Sequence, residues 1–105
     1  MTEAMKIRAT LQGDTADLRV LIKHPMETGT RKTATGIAPA HFIQSLVVQH
    51  NGKTVFDAQW SQSVSRDPVL GLRVRGAKTG DRISITWVDN RGERRTDEAV
   101  VTAGP

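Results

Sequence analysis

Apolar residues in this chain recur at every second position, in short runs broken by Gly, Pro, Asn and Asp, and nowhere with the spacing of a helix face. Leu18, Val20 and Ile22 share one side of such a run, with Arg19 and Lys23 on the other. Pro25, which cannot donate to a ladder, ends it. Leu70, Leu72 and Val74 alternate with Arg73 and Arg75, and Ile83, Ile85 and Trp87 mark a further run. Met5 to Leu11 alternates similarly, and residues 93–101 read as a charged edge strand, apolar only near Ala99 to Val101. About seven strands with closely spaced turns and no helix predict an all-β domain, an immunoglobulin-like antiparallel β-sandwich. An open barrel of OB type, with about five longer strands, is the alternative.

Asn51-Gly52 is the clearest turn, because both residues tolerate the positive φ of a type I′ hairpin. A two-residue turn pairs His50 with Lys53. Counting outward sets Val47 opposite Phe56, Ser45 opposite Ala58 and Ile43 opposite Trp60, all on one core-facing side of a hairpin over residues 42–60. Phe56, Trp60 and Trp87 then point inward. In that register Leu46, Val48 and Val55 point outward, where they would form a candidate interface patch.

With 105 residues there is room for one domain, 1–105, with 1–4 and 103–105 expected to fray. Apolar residues at 37% and charged residues at 25% describe a globular chain. Cysteine is absent, which excludes disulfides, thiol nucleophiles, iron–sulfur clusters and cysteine-ligated zinc. No apolar run is long enough to span a bilayer. The net charge of +4 is compatible with nucleic acid, a small anion or an acidic protein partner, and equally with solubility alone. Glu3 interrupts the first residues and no apolar export segment follows them. Such a chain is either cytoplasmic or exported while bound to another.

Two stretches lack periodicity: a polar loop, Ser61 to Pro68, and the longer segment Met26 to His41. The second reads as an ordered loop, stiffened by Pro25 and Pro39 and punctuated by Gly29 and Gly36. Loops of that length in a compact domain tend to be functional. His24 and His41 bracket it and can approach each other, while His50, at a hairpin turn, is expected to be solvated. No serine elbow or triad accompanies them, so they read as loop-anchoring or surface histidines. His24, Met26 and His41 could offer soft ligands to copper(I), but two neighbouring ligands do not make a site. Arg73, Arg75, Lys78, Arg82, Arg91, Arg94 and Arg95 could face nucleic acid, yet no aromatic interleaves with them for stacking. No catalytic residue, cofactor or metal ligand is therefore assigned.

Lys23-His-Pro-Met-Glu-Thr-Gly29-Thr-Arg31, Gly36-Ile-Ala-Pro39-Ala-His-Phe42-Ile and Gly80-Asp81-Arg-Ile-Ser-Ile-Thr-Trp87-Val-Asp-Asn-Arg-Gly92 together resemble the SoxZ family of sulfur-oxidation proteins, over residues 5–102. The first run is the most specific. The resemblance implies an immunoglobulin-like sandwich that forms a heterodimer with SoxY, with higher assembly left open. SoxY carries sulfur intermediates on a cysteine of a flexible C-terminal arm. The pair presents them in turn to a haem protein, a hydrolase and a sulfur dehydrogenase during thiosulfate oxidation. It implies no nucleic acid, no membrane and no enzymatic activity in this chain. It also implies a periplasmic location, reached by co-export with a signal-bearing partner. On this reading His24, Pro25, Met26, Glu27, Thr28, Gly29, Arg31, Lys32 and Gly36 form a loop that presents the arm. Arg31 and Lys32 would add positive charge for an anionic cargo or an acidic enzyme. Two other readings are a stand-alone sandwich binding a small anion or copper, and a nucleic-acid-binding β domain.

Overall fold

The computed structural model describes residues 2–61 and 64–103. Gln62 and Ser63 of the polar loop lie outside the described residues, as do Met1, Gly104 and Pro105 of the expected fraying ends. Seven long strands form: β1 (Lys6–Gln12), β2 (Thr15–Leu21), β5 (Ile43–His50), β6 (Lys53–Gln59), β7 (Val69–Arg75), β8 (Arg82–Asp89) and β9 (Arg94–Val100). Three two-residue strands join them: β3 (Lys32–Thr33), β4 (Gly36–Ile37) and β10 (Thr102–Ala103). One sheet has the order β10-β1-β2-β7, the other β6-β5-β8-β9, and β3-β4 is a small hairpin within the long loop. The long strands pair antiparallel throughout; β10 alone joins its sheet parallel, beside β1. The fold is the expected all-β sandwich.

Alternation placed the inner faces correctly on β2, β7 and β8, with Val74 of β7 buried and its Leu70 and Leu72 packed against the core. Leu18, Val20, Ile22, Ile83, Ile85 and Trp87 are all buried in one core shared by both sheets. The hairpin is where the expectation fails. Asn51 and Gly52 do take positive φ, 50° and 84°, and His50 does pair with Lys53. Beyond Gln49↔Thr54, however, the partners become Val48↔Phe56 and Leu46↔Ala58, with one residue extra on β6. That residue is Val55, bulged out of the ladder and exposed. A one-residue slip reverses which side chains face in. Leu46 and Val48 are therefore core residues at 0% exposure, and the interface patch expected of Leu46, Val48 and Val55 does not exist. Val47 and Ser45, expected inward, lie half-buried on the outer side. A second irregularity, at Gln44 against β8, lets Ile43 and Leu46 both point inward. Trp60 is only half-buried, packed against the margin of the core.

The C-terminal segment also departs from a single edge strand. β9 is the edge of its sheet, but the chain crosses at the buried Val101 and continues as β10 in the other sheet. Thr102 pairs with Thr10 and Ala103 with Leu11, and the Thr102 hydroxyl donates to the Ala9 carbonyl at 3.2 Å. At the same end, Arg82 N–H donates to Asn51 Oδ1 at 2.8 Å and Asn51 N–H to the Arg82 carbonyl at 2.9 Å. These bonds clamp the 51–52 turn onto the 78–82 turn. His50 takes part in that clamp rather than facing solvent: its Nε2 lies 2.7 Å from Asp81 Oδ2. The His50 bond, with the Lys78 backbone N–H, holds the Asp81 carboxyl down at about 2.

Candidate functional site

The long loop folds back on the opposite end of the sandwich, against the Asp89–Gly92 turn. Met26 begins it in a left-handed conformation, φ 47°, that non-glycine residues rarely adopt. There the Met26 N–H donates to His24 Nδ1 at 3.1 Å, while its thioether sulfur accepts from the Ile43 N–H at 3.3 Å. Burial of Met26 in the core holds this strained turn in place. Glu27 and His41 then exchange backbone hydrogen bonds of 2.7 and 3.0 Å, closing the loop at its neck. Gly29 sits at φ 87°, where a Cβ would stand 3.1 Å from Ala40 Cβ. The β3-β4 hairpin, with Gly36 at φ 144°, forms the exposed tip beyond.

His24 and His41 do meet, ring centroids 4.5 Å apart, and what joins them is Asp89. His24 Nε2 lies 3.1 Å and His41 Nε2 2.7 Å from the same oxygen, Asp89 Oδ2. The other oxygen accepts the backbone N–H groups of Arg91 and Glu93 at 3.0 and 2.9 Å. Asp89 and His24 are buried, and the His24 ring stands edge-on to Trp87 at 5.1 Å. Next to Asp89, Asn90 holds the loop's far end: its Oδ1 accepts from Phe42 N–H at 2.8 Å and its Nδ2 donates to the Ala40 carbonyl at 2.9 Å.

The hydrogen bonds fix the protonation states. His24 Nδ1 accepts from Met26, so its proton is on Nε2 and is donated to Asp89. Burial lowers the His24 pKa, outweighing the opposing pull of Asp89, so the ring is neutral near pH 7. Burial pushes the Asp89 carboxyl up, but the bonds from His24, His41 and the two backbone amides prevail and hold it below its ordinary range. An ionised carboxylate thus receives four hydrogen bonds.

Three ligand-type atoms, from His24, His41 and Asp89, converge here as they would around a metal. The donor set argues for a clasp instead. A metal on Nε2 of a neutral imidazole leaves the proton on Nδ1, and His24 Nδ1 faces the Met26 N–H. Met26 sulfur, the soft ligand considered for copper, is turned toward the Ile43 amide. The arrangement also holds no nucleophile and has little access to solvent.

Of the residues expected to present cargo, His24, Pro25, Met26, Glu27, Thr28, Gly29, Arg31, Lys32 and Gly36, the structure divides the work. His24, Met26 and Gly29 build the loop. Glu27, Thr28, Arg31, Lys32 and Gly36 reach its surface, where Pro25, Glu27, Arg31 and Arg66 border a shallow cleft of about 470 Å³. Arg31 is not a free cation, since its Nε and Nη2 lie 2.9 Å from Glu27 Oε1. Asp89 and Asn90 were missed as site residues. The Asp-Asn-Arg-Gly run read as a hairpin turn, and nothing local to it indicates that both side chains serve a segment some fifty to sixty-five positions away.

The two halves of this clasp coincide with the runs that resemble a known family. The model of the family described as "Sulphur oxidation protein SoxZ" matches residues 5–100. A comparison with curated proteins finds no match. Among solved structures, a superoxide reductase (neelaredoxin) from Ignicoccus hospitalis is similar at 15% identity and TM-score 0.63, covering 98% of this chain and 82% of that one. A single-residue variant of the superoxide reductase (neelaredoxin) from Archaeoglobus fulgidus, in its reduced form, gives 19% identity and TM-score 0.58, covering 96% and 87%. Likeness at that identity speaks to the sandwich fold alone.

Proposed function

The chain belongs to the SoxZ family of sulfur-oxidation proteins, and on that premise we propose that it is the non-catalytic subunit of a sulfur-carrier complex whose other chain is SoxY. The family match over nearly the whole chain carries the reading. The residues agree with it: without cysteine the chain has no thiol to bear a covalent sulfur intermediate, so it supports the chain that does. The cluster of His24, His41 and Asp89 is tied together by its own hydrogen bonds and suits holding a loop rather than catalysis. The long loop lies beside the partner and helps present its arm, with the exposed Ile37 at the hairpin tip as a contact point. Work in the periplasm, after co-export with a signal-bearing SoxY, fits the reading. Among the described residues no helix is long and apolar enough to cross a membrane.

Co-expression with SoxY and gel filtration test this. A stable stoichiometric complex is expected, and reconstituted thiosulfate oxidation should need both chains. Full turnover with SoxY alone would overturn the proposal. In the complex, Ile37→Asp should leave the melting temperature unchanged and weaken the heterodimer; wild-type affinity would remove the loop from the interface.

A further inference from the structure

Five of the 15 lysines and arginines of this chain share one sheet face. Lys6 and Arg8 of β1, Arg19 of β2, and Arg73 and Arg75 of β7 all project from the outer side of the first sheet, where Asp17 is the one carboxylate. Five cations against one carboxylate equals the formal charge of the whole chain, +4. Register sets Arg73 opposite Asp17, but elsewhere it makes the arrangement costly to the fold. Arg8 lies directly opposite Arg19, and like charges facing each other across strands are destabilising. Asp17 reaches Arg19 only at 3.8 Å. Lys6, Arg8, Arg73 and Arg75 make no ion pair among the described residues. The second sheet is different. The middle of its outer side carries Val47, Thr86 and Thr96, and Arg82 is paired with Glu98 at 3.4 Å.

Several ligands could meet a basic face, and the geometry separates them. Neighbouring strands are about 4.8 Å apart and alternate residues about 6.8 Å, so five cations on three strands extend beyond the reach of one small anion. No aromatic residue stands on this face for a base to stack on. A groove of about 340 Å³ at one end of this face, lined by Leu21 and Val69 with Lys6, Arg8 and Arg19 beside it, adds an apolar patch. Val69 is 71% exposed. An exposed apolar patch bordered by charge is the make-up of a protein interface. We propose that this sheet face is the docking surface for a carboxylate-rich face of an enzyme that acts on the carrier complex. The Arg31 of the loop, neutralised by Glu27, is not that surface. The proposal rests on the carrier reading above.

The test uses the complete complex with SoxY and its reconstituted enzymes. Arg8→Glu with Arg19→Glu, and separately Arg73→Glu with Arg75→Glu, are compared with Lys53→Glu with Arg94→Glu on the other sheet. Each complex is followed by melting temperature, co-elution with SoxY, and KM for the carrier in thiosulfate oxidation at low and high salt. Both reversals on the basic face should raise KM at least about tenfold at low salt and leave kcat within about twofold. Wild-type KM should rise with salt while the reversed complexes respond little. The control pair should behave as wild type. Unchanged KM in both reversals overturns the proposal. Loss of co-elution with SoxY overturns it too, by assigning the face to the subunit interface. So does salt-sensitive binding of a labelled DNA duplex that the reversals abolish. Failure of the wild-type chain to pair with SoxY overturns the carrier reading itself, and docking with it.

Discussion

Asp89 is the residue on which the loop depends. Removing its carboxylate leaves two imidazole N–H groups and two backbone amides without their acceptor, that of His24 fully buried and the others partly so. A hydrogen bond to a charged group is worth about 1.5–3 kcal/mol, and a buried donor left without its acceptor costs a similar amount. Asp89→Ala should lose that much in urea melts; a loss under about 1 kcal/mol would mean that the network is not supporting the fold. His24 makes stability pH-dependent in a definite direction. Burial lowers its folded pKa below the ordinary 6.5, so under acid the unfolded chain takes up the proton first. Stability is complete above about pH 6.5 and declines as pH falls below it. Asp89, also lowered, acts in the same sense from its ordinary 3.8 downward. Urea midpoints should therefore fall between pH 7 and pH 5, and His24→Gln should flatten that part of the curve. A midpoint that is level or rises on acidification would contradict a neutral, buried His24.

At the scale of elements, the hairpin shows how a correct turn can lead to a wrong face. Asn51-Gly52 fixes the first two pairs, and simple counting from there puts Val47 inside. The Val55 bulge shifts the count by one residue. Leu46→Ala should consequently cost about 2–5 kcal/mol, whereas Val47→Ala should cost well under half as much. A larger loss for Val47→Ala than for Leu46→Ala would restore the unbulged register. In the long loop, Gly29→Ala should destabilise by about 1–2 kcal/mol, because its φ of 87° is left-handed and the new Cβ meets Ala40. Differential scanning calorimetry would detect the shift, and a neutral substitution would show that the loop rearranges freely.

For the molecule as a whole, the two tryptophans report different things. Trp87 is at 1% exposure in the middle of the core, with no hydrogen-bond partner for its indole N–H among the described residues. Trp60 is half-buried at the margin. Trp87→Ala should cost about 3–5 kcal/mol and Trp60→Ala distinctly less. In the native protein acrylamide should quench the emission of a Trp87→Phe variant, which keeps Trp60, more strongly than that of a Trp60→Phe variant. The reverse order would mean that their burial is misassigned. Sheet order is likewise a property of the whole. β9 and β10 are nearly continuous in sequence yet belong to different sheets, because the buried Val101 lies where the chain crosses the sandwich.

Strand positions, the 51–52 turn and the inner faces of β2, β7 and β8 were determined by the sequence alone, since alternation and positive-φ residues act through near neighbours. The family was legible too, because its most specific run lies in one unbroken stretch around His24 to Arg31. The bulge at Val55 was not legible. A bulge leaves the residues of each strand unchanged and alters only their pairing, which is decided by packing β5 between β6 and β8. Nor was the clasp. His24, His41 and Asp89 are far apart in sequence, and their shared carboxylate oxygen comes into being only when the sandwich closes and brings the loop onto the 89–92 turn. The concentration of charge follows the same logic. Alternation places each cation on an outer side, but only the strand order β1-β2-β7 gathers five of them on one face.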